Sequence, residues 1–229
     1  MPLVMAFVAM FLGGCWKPMY RGTVSALARV DDLEPTSFTI IPSNENVDAQ
    51  ELEFASYVKQ VQQILEEAGY SKAAEGAKAS LVITLDYTLG EPVAERMDLP
   101  APVYGPVGPA TSTTYGTVNP VAGGAVLSGT TYTTQQMGVV GYNTASFTYY
   151  TRLSRVELRA YDAAFEERSA ASELWRVTSQ SGMATENLGS LFPYHALAIQ
   201  PYIARSTAAG AVPVTIPLND RRVAKLRGQ

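Results

Sequence analysis

From Leu99 to Thr151 the chain carries no Asp, Glu, Lys or Arg, a gap of 53 residues in a protein of 229. A stretch that long without charge limits what it can become. Solvating linkers stay open by being charged and poor in aromatic and β-branched residues, whereas this one is filled with Gly, Pro, Thr, Val and Tyr. It cannot cross a membrane as a helix. Pro100, Pro102, Pro106, Pro109 and Pro120, with repeated glycines, break every apolar run well short of the ~20 residues a helical span needs. What remains is a long insertion between strands, part irregular loop and part extended ribbon. Having no charges to oppose edge pairing, the ribbon is suited to lie on a protein, on a polysaccharide or on another copy of itself. Tyr offers a large rigid face and a hydroxyl at little entropic cost, so Tyr104, Tyr115, Tyr132 and Tyr142 are the candidate contact residues.

Taken whole, the chain is 47% hydrophobic and 17% charged, ample for one domain of ordinary size and composition. Seventeen basic against twenty-one acidic residues leave a net charge of −4 and no general electrostatic reason to approach phosphate backbones. Nucleic acid is therefore not an expected partner.

Met1 to Leu12, MPLVMAFVAMFL, is uncharged and mostly apolar, and Gly13-Gly14-Cys15 follow at once. The run is too short to span a ~30 Å hydrocarbon core as a helix and fits the apolar region of a signal peptide. Leu12-Gly13-Gly14-Cys15 resembles the bacterial lipobox, in which small residues admit the peptidase and the Cys thiolate accepts a diacylglycerol. That resemblance implies a leader over residues 1–14, lipidation at Cys15 and a tether over residues 15–36. Cys15 is the only Cys, so the remaining body keeps no free thiol, as suits an oxidising envelope. At ~0.8 kcal/mol per buried CH₂, two or three acyl chains hold a protein on a membrane almost permanently. Trp16, rather than Asp, after the Cys resembles the signal for sorting to the outer membrane. The expected location is thus the bacterial envelope, on the outer membrane facing the periplasm.

The body reads as alternating strand and helix signals. Ser37-Phe38-Thr39-Ile40-Ile41, ended by Pro42, is a β-favouring run. Asp48 with Glu51 opens a helix, Phe54, Val58, Val61, Leu65 and Ala68 share one face of it, and Gly69 stops it. Leu81, Ile83, Leu85, Tyr87 and Leu89 alternate with more polar residues, which predicts a strand with one wet face in an antiparallel sheet. Phe147, Tyr149 and Leu153 keep one phase and Val156, Leu158 and Ala160 the other, so a bulge near Ser154 is expected in one long strand. A loop to Ser172 leads to Leu174-Trp175-Arg176-Val177-Thr178, its hairpin partner. A second helix is expected from about Pro193, broken at Pro201. Val212 to Leu218, with two prolines, can only be an edge strand or extended tail. Arg221, Arg222, Lys225 and Arg227 make residues 220–229 a basic, solvated tail. The fold class that follows is α+β: one domain over residues 37–219, with an antiparallel sheet of four or five strands, two helices on one face and the uncharged insertion at 99–151.

This order of elements, with the lipobox, resembles a family of bacterial envelope lipoproteins defined only as a domain of unknown function, the one numbered 4136. The residues that carry the resemblance are Leu65-Glu66-Glu67-Ala68-Gly69-Tyr70, Ala79-Ser80-Leu81-Val82-Ile83, Val156-Glu157-Leu158-Arg159-Ala160-Tyr161-Asp162 and Leu174-Trp175-Arg176. It covers about residues 37–209. It implies a location and a fold, and supplies no catalytic residues.

Signatures of chemistry are sparse. One histidine, His195, cannot provide the imidazoles of most catalytic zinc sites, and no Cys cluster replaces them. No G-x-S-x-G elbow presents a serine nucleophile, and neither a P-loop nor a dinucleotide-binding glycine pattern occurs, so neither metal nor cofactor is expected. Paired carboxylates remain: Asp86 on the wet face of its strand, with Glu157 and Asp162 on another, could meet if those strands were neighbours. The reading these residues favour is a membrane-anchored, non-enzymatic structural or interaction module. Its partners are the membrane through the lipid anchor, an envelope protein or polysaccharide, and a second copy by self-association. An envelope small-ligand binder and a carboxylate-based hydrolase are the competing readings.

Overall fold

Strands make up just over half of the described residues, many of them rich in the Val, Ile, Thr and Tyr that suit a pleated surface. The computed structural model describes residues 18–29, 33–44, 48, 50–74, 76–165, 167–185, 187–208 and 210–228. In order the elements are β1 (Met19–Ala28), β2 (Ser37–Pro42), α1 (Leu52–Glu67), β3 (Ser71–Lys72), β4 (Leu81–Leu89), β5 (Val93–Pro106), β6 (Thr111–Val121), β7 (Gly124–Thr134), β8 (Met137–Asp162), β9 (Glu173–Met183), α2 (Leu188–Ile199), β10 (Val212–Pro217) and α3 (Arg221–Leu226). A 3₁₀ turn at Gln200–Tyr202 follows α2. The chain divides into two units, one reaching Val93 and resuming at Tyr150, the other Ala94–Tyr149.

In the first unit the strand order is β10-β1-β9-β8-β4-β2-β3. Each neighbouring pair along β10-β1-β9-β8-β4 is antiparallel, while β2 runs parallel to β3 and β4. α1 is the reason for the parallel pair: strands joined by a helix of this length can lie side by side only after a crossover. One face of the sheet is apolar, built from Val24, Val177, Val156, Leu158, Ala160, Leu85, Ile83 and Phe38, all nearly inaccessible. On it lie Phe54, Tyr57, Val61, Ile64 and Leu65 of α1, and Leu191, Phe192, His195, Ala198 and Ile199 of α2. Tyr57 stacks on Phe192 at 3.9 Å between ring centres and meets Tyr87 edge-on at 4.9 Å. The interface between sheet and helices is thus filled with side chains.

The architecture differs from the expected one. A mixed eight-stranded sheet, counting β5 on β8, a second two-stranded sheet and three helices replace four or five antiparallel strands under two helices. Three causes are local. Residues 19–28, expected in the tether, form β1 between β10 and β9. Residues 220–229, expected to be solvated, hold α3, whose Val223 and Leu226 face the core while Asp220 caps the helix through Arg222 N–H. The insertion, expected as part loop and part ribbon, is strand almost throughout, from β5 through β6 and β7 into the first half of β8.

Smaller differences have equally plain reasons. α2 begins at Leu188, before Pro193, because Asn187 caps it by accepting from Gly189 N–H at 2.7 Å. The Asp48–Glu51 start is displaced, with Glu51 itself at the cap position of α1. β8 needs no bulge near Ser154, since Leu153, Phe147 and Tyr149 do not enter the core; its register shift falls at Ala160/Tyr161.

The second unit is an antiparallel ribbon. β5 pairs with β8, and β6 pairs with β7 in unbroken register from Thr111↔Thr134 to Val121↔Gly124. Ala122-Gly123 turns the chain, with Gly123 at φ +94°, a conformation that favours glycine. Every residue of β6 and β7 is exposed.

Candidate functional site

Three groupings of side chains could carry a function, and two of them consume their own chemistry. The first surrounds His195, which has no accessible surface. Its Nε2 lies 2.9 Å from Ser154 Oγ, and Ser154 Oγ–H donates to Ser181 O at 3.0 Å. That hydroxyl proton is already engaged, so Nε2–H must be the donor to Ser154. Nδ1 then accepts from the hydroxyl of Ser179 at 2.8 Å, with the Tyr20 hydroxyl 3.1 Å from the same nitrogen and 3.4 Å from Ser179 Oγ. This polarity is opposite to that of an activated serine, whose proton passes to the imidazole. Burial pulls the His195 pKa down to about 4 and pushes the Tyr20 hydroxyl up to about 12. Tyr20 also stacks on Tyr194, at 5.3 Å between ring centres. The cluster is a satisfied polar knot that fixes α2 to β1, β8 and β9.

The second lies on the opposite sheet face. Asp86 and Glu157, the acids singled out from sequence, are cross-strand neighbours on β4 and β8. Glu157 is only 3% exposed. It accepts from Arg155 Nη2, from Arg159 Nε and from Thr178 Oγ1. Burial raises its carboxyl, but the Thr178 hydroxyl and the two guanidiniums outweigh that and hold it below the usual range. An ionised, fully engaged carboxylate has no proton to deliver to a leaving group. Asp162 sits apart from this pair, capping a turn through Ala164 N–H. A shallow groove of about 370 Å³ runs beside the cluster, lined by Arg155, Glu157, Arg176, Thr178 and Gln180 among others.

The third is the ribbon. Tyr104, Tyr115, Tyr132 and Tyr142 are 66%, 67%, 62% and 70% exposed. Tyr115 and Tyr132 come together on one face, their ring centres 6.3 Å apart and their planes inclined at 66°, while Tyr104 and Tyr142 stand on β5 and β8. Val118, Val121, Val126 and Leu127 near the tip are likewise more than half exposed. The opposite face of β6 and β7 carries a hydroxyl ladder, Ser112 to Thr133 at 3.0 Å and Thr114 to Thr131 at 2.8 Å. Charge returns only towards the start of β5, where Arg96 bonds Asp98 and Ser146, and Tyr149 donates to Glu95 at 2.7 Å.

Cys15, the expected lipidation site, lies outside the described residues. Among the described residues, no three His, Cys, Asp or Glu side chains are grouped to hold a metal ion, and no helix is long and apolar enough to cross a membrane. The Arg-x-Glu-x-Arg alternation of residues 155–159, which sequence reading passed over, was visible as like-phased charges on one strand face.

No protein-family model and no curated protein matches the chain. Among solved structures it is similar to a crystallised PDZ domain protein from Parabacteroides distasonis ATCC 8503, at 12% sequence identity and a TM-score of 0.41. The similarity covers 92% of this chain and 42% of that one, so the chain spans less than half the length of its structural neighbour.

Proposed function

We propose that the protein is a lipid-anchored envelope protein whose globular unit carries the uncharged ribbon as a contact element, with no catalytic role of its own. The observation that supports this most is the ribbon: an element exposed along both faces and both edges, bearing large apolar and tyrosyl side chains and no charge from 99 to 151. A two-stranded ribbon is at best marginally stable alone in water, and contiguous exposed apolar surface marks an interaction site. The competing readings find less support. A ligand-binding cavity would need room between sheet and helices, where side chains fill the space, and Glu157, the best-placed acid, is neutralised by its neighbours. What supports the anchor and the compartment is the resemblance of Leu12-Gly13-Gly14-Cys15 to a lipobox.

Metabolic labelling with a fatty acid tests the anchor. The parent chain is expected to incorporate label and Cys15→Ser to lose it entirely. Equal labelling of both, or of neither, would remove the anchor from this account.

A further inference from the structure

Tyr115 and Tyr132 project from one face of the ribbon, and at nearly the same height the other face has a notch. Gly116 and Gly129 are directly paired there, between the hydrogen-bonded Thr114–Thr131 pair on one side and Val118 opposite Leu127 on the other. The notch is set by the backbone. A Cβ at Gly116 would stand 2.7 Å from Ser128 O, and one at Gly129 would stand 2.9 Å from Tyr115 O, so neither position admits a side chain without displacing the partner strand. Tyr115 neighbours Gly116 in sequence, and Tyr132 pairs with Thr113, so knob and hole are separated along the ribbon by about one to three residues, at ~3.3 Å each.

We infer that the ribbon's partner is the ribbon of a second copy of this chain, stacked so that Tyr115 and Tyr132 of one copy seat over Gly116 and Gly129 of the next. The inference rests on the ribbon being a contact element and names what it contacts. Aromatic side chains placed over glycines cover exposed backbone and are a recognised way of stabilising sheets. Charge favours the same occupant: a surface without charge from 99 to 151 meets itself without repulsion, and has nothing with which to select a charged partner. Among the described residues no strand pairs with the outer edges of β6 and β7, and those strands carry no Lys or Glu to discourage further pairing. Knob and hole lie on opposite faces, so the contact is head-to-tail and can propagate beyond two copies. A bilayer is the less suited occupant, because unpaired strand edges are not tolerated in hydrocarbon.

The test is photo-crosslinking of the full chain in its native membranes, with p-benzoylphenylalanine in place of Tyr115, which keeps the aromatic bulk. Two copies that differ by an epitope tag are expressed together. The expected result is an adduct carrying both tags that joins position 115 to Thr114–Val118 or Leu127–Thr131 of the other copy, and Tyr132→Ser in the same chain should reduce its yield roughly tenfold. Adducts to lipid or to a different protein would overturn self-stacking and leave the ribbon a contact element. No intermolecular adduct of any kind, with the anchor intact, would overturn both.

Discussion

Removing residues 99–150 is expected to abolish every intermolecular contact made through the ribbon while leaving the globular unit folded. The reason is the distribution of the core. All its buried apolar side chains, from Tyr20 to Leu226, lie outside residues 94–149, and so do the partly buried ones packed against it. The deletion therefore removes no residue of the core. It also shortens the connection between β4 and β8, whose Leu89 and Ser154 are already paired, and shortening a loop lowers the entropy lost on closing it. Thermal unfolding should stay cooperative, with stability within about 1 kcal/mol of the parent. Crosslinking in membranes should lose all of the parent's higher-mass adducts. A deleted chain that unfolds without cooperativity would show that the ribbon is structural, and one that keeps the parent's adducts would show that the contact lies elsewhere.

The second large effect is acid instability centred on His195. Its folded pKa of about 4 lies below the ordinary value of 6.5, so between those values the unfolded chain binds a proton that the folded chain refuses. The stabilisation is present in full above pH 6.5 and is lost as pH falls towards 4. The loss is about 2 kcal/mol by pH 5 and roughly 3 near pH 4. Ser154, Ser179 and Tyr20 face the ring, and none of them is charged in this range. The lowered carboxyls of Glu157, Glu67 and Asp220 also destabilise the fold as they protonate, but only once pH has fallen into and below the carboxylate range. The interval from pH 6.5 to 5 therefore belongs to His195. His195→Asn should be less stable at pH 7 by about 1–3 kcal/mol, because the serine hydroxyls lose their partner, yet flat across that interval. Urea unfolding at pH 7 and pH 5 checks both, and a parent with no loss at pH 5 would contradict the assignment.

Much of this molecule was legible from residue patterns where one face alone is buried. Phe54, Val61 and Leu65 marked the inner side of α1, the alternation of 81–89 marked β4, and the prolines at 213 and 217 marked β10 as an edge strand. β1 was not legible, because Gly22 breaks its alternation. A Cβ there would stand 2.8 Å from the Tyr20 hydroxyl and 2.6 Å from Gln180 O. The glycine leaves space for Tyr20 to reach Ser179 and His195, partners more than 150 residues away that no local pattern reveals. The parallel β2–β4 pair was hidden for the opposite reason. Its alternation reads as one-sided, and only the intervening helix betrays the crossover. Of the candidate site, the neutrality of residues 99–151 was plain, but the pairing of Gly116 with Gly129 opposite the tyrosines depends on a register that composition does not encode.

Amide hydrogen exchange of the full chain in its membranes bears most directly on whether the ribbon is covered. A two-stranded ribbon on its own opens readily, so the amides that bond across β6 and β7 exchange at nearly the rate of an unstructured peptide. A ribbon covered by its neighbours should show these cross-strand amides, between Thr111 and Thr134, slowed by about 100-fold or more. Cross-strand amides of β6 and β7 that exchange freely, while those of Val156–Ala160 in the core stay protected, would contradict the account.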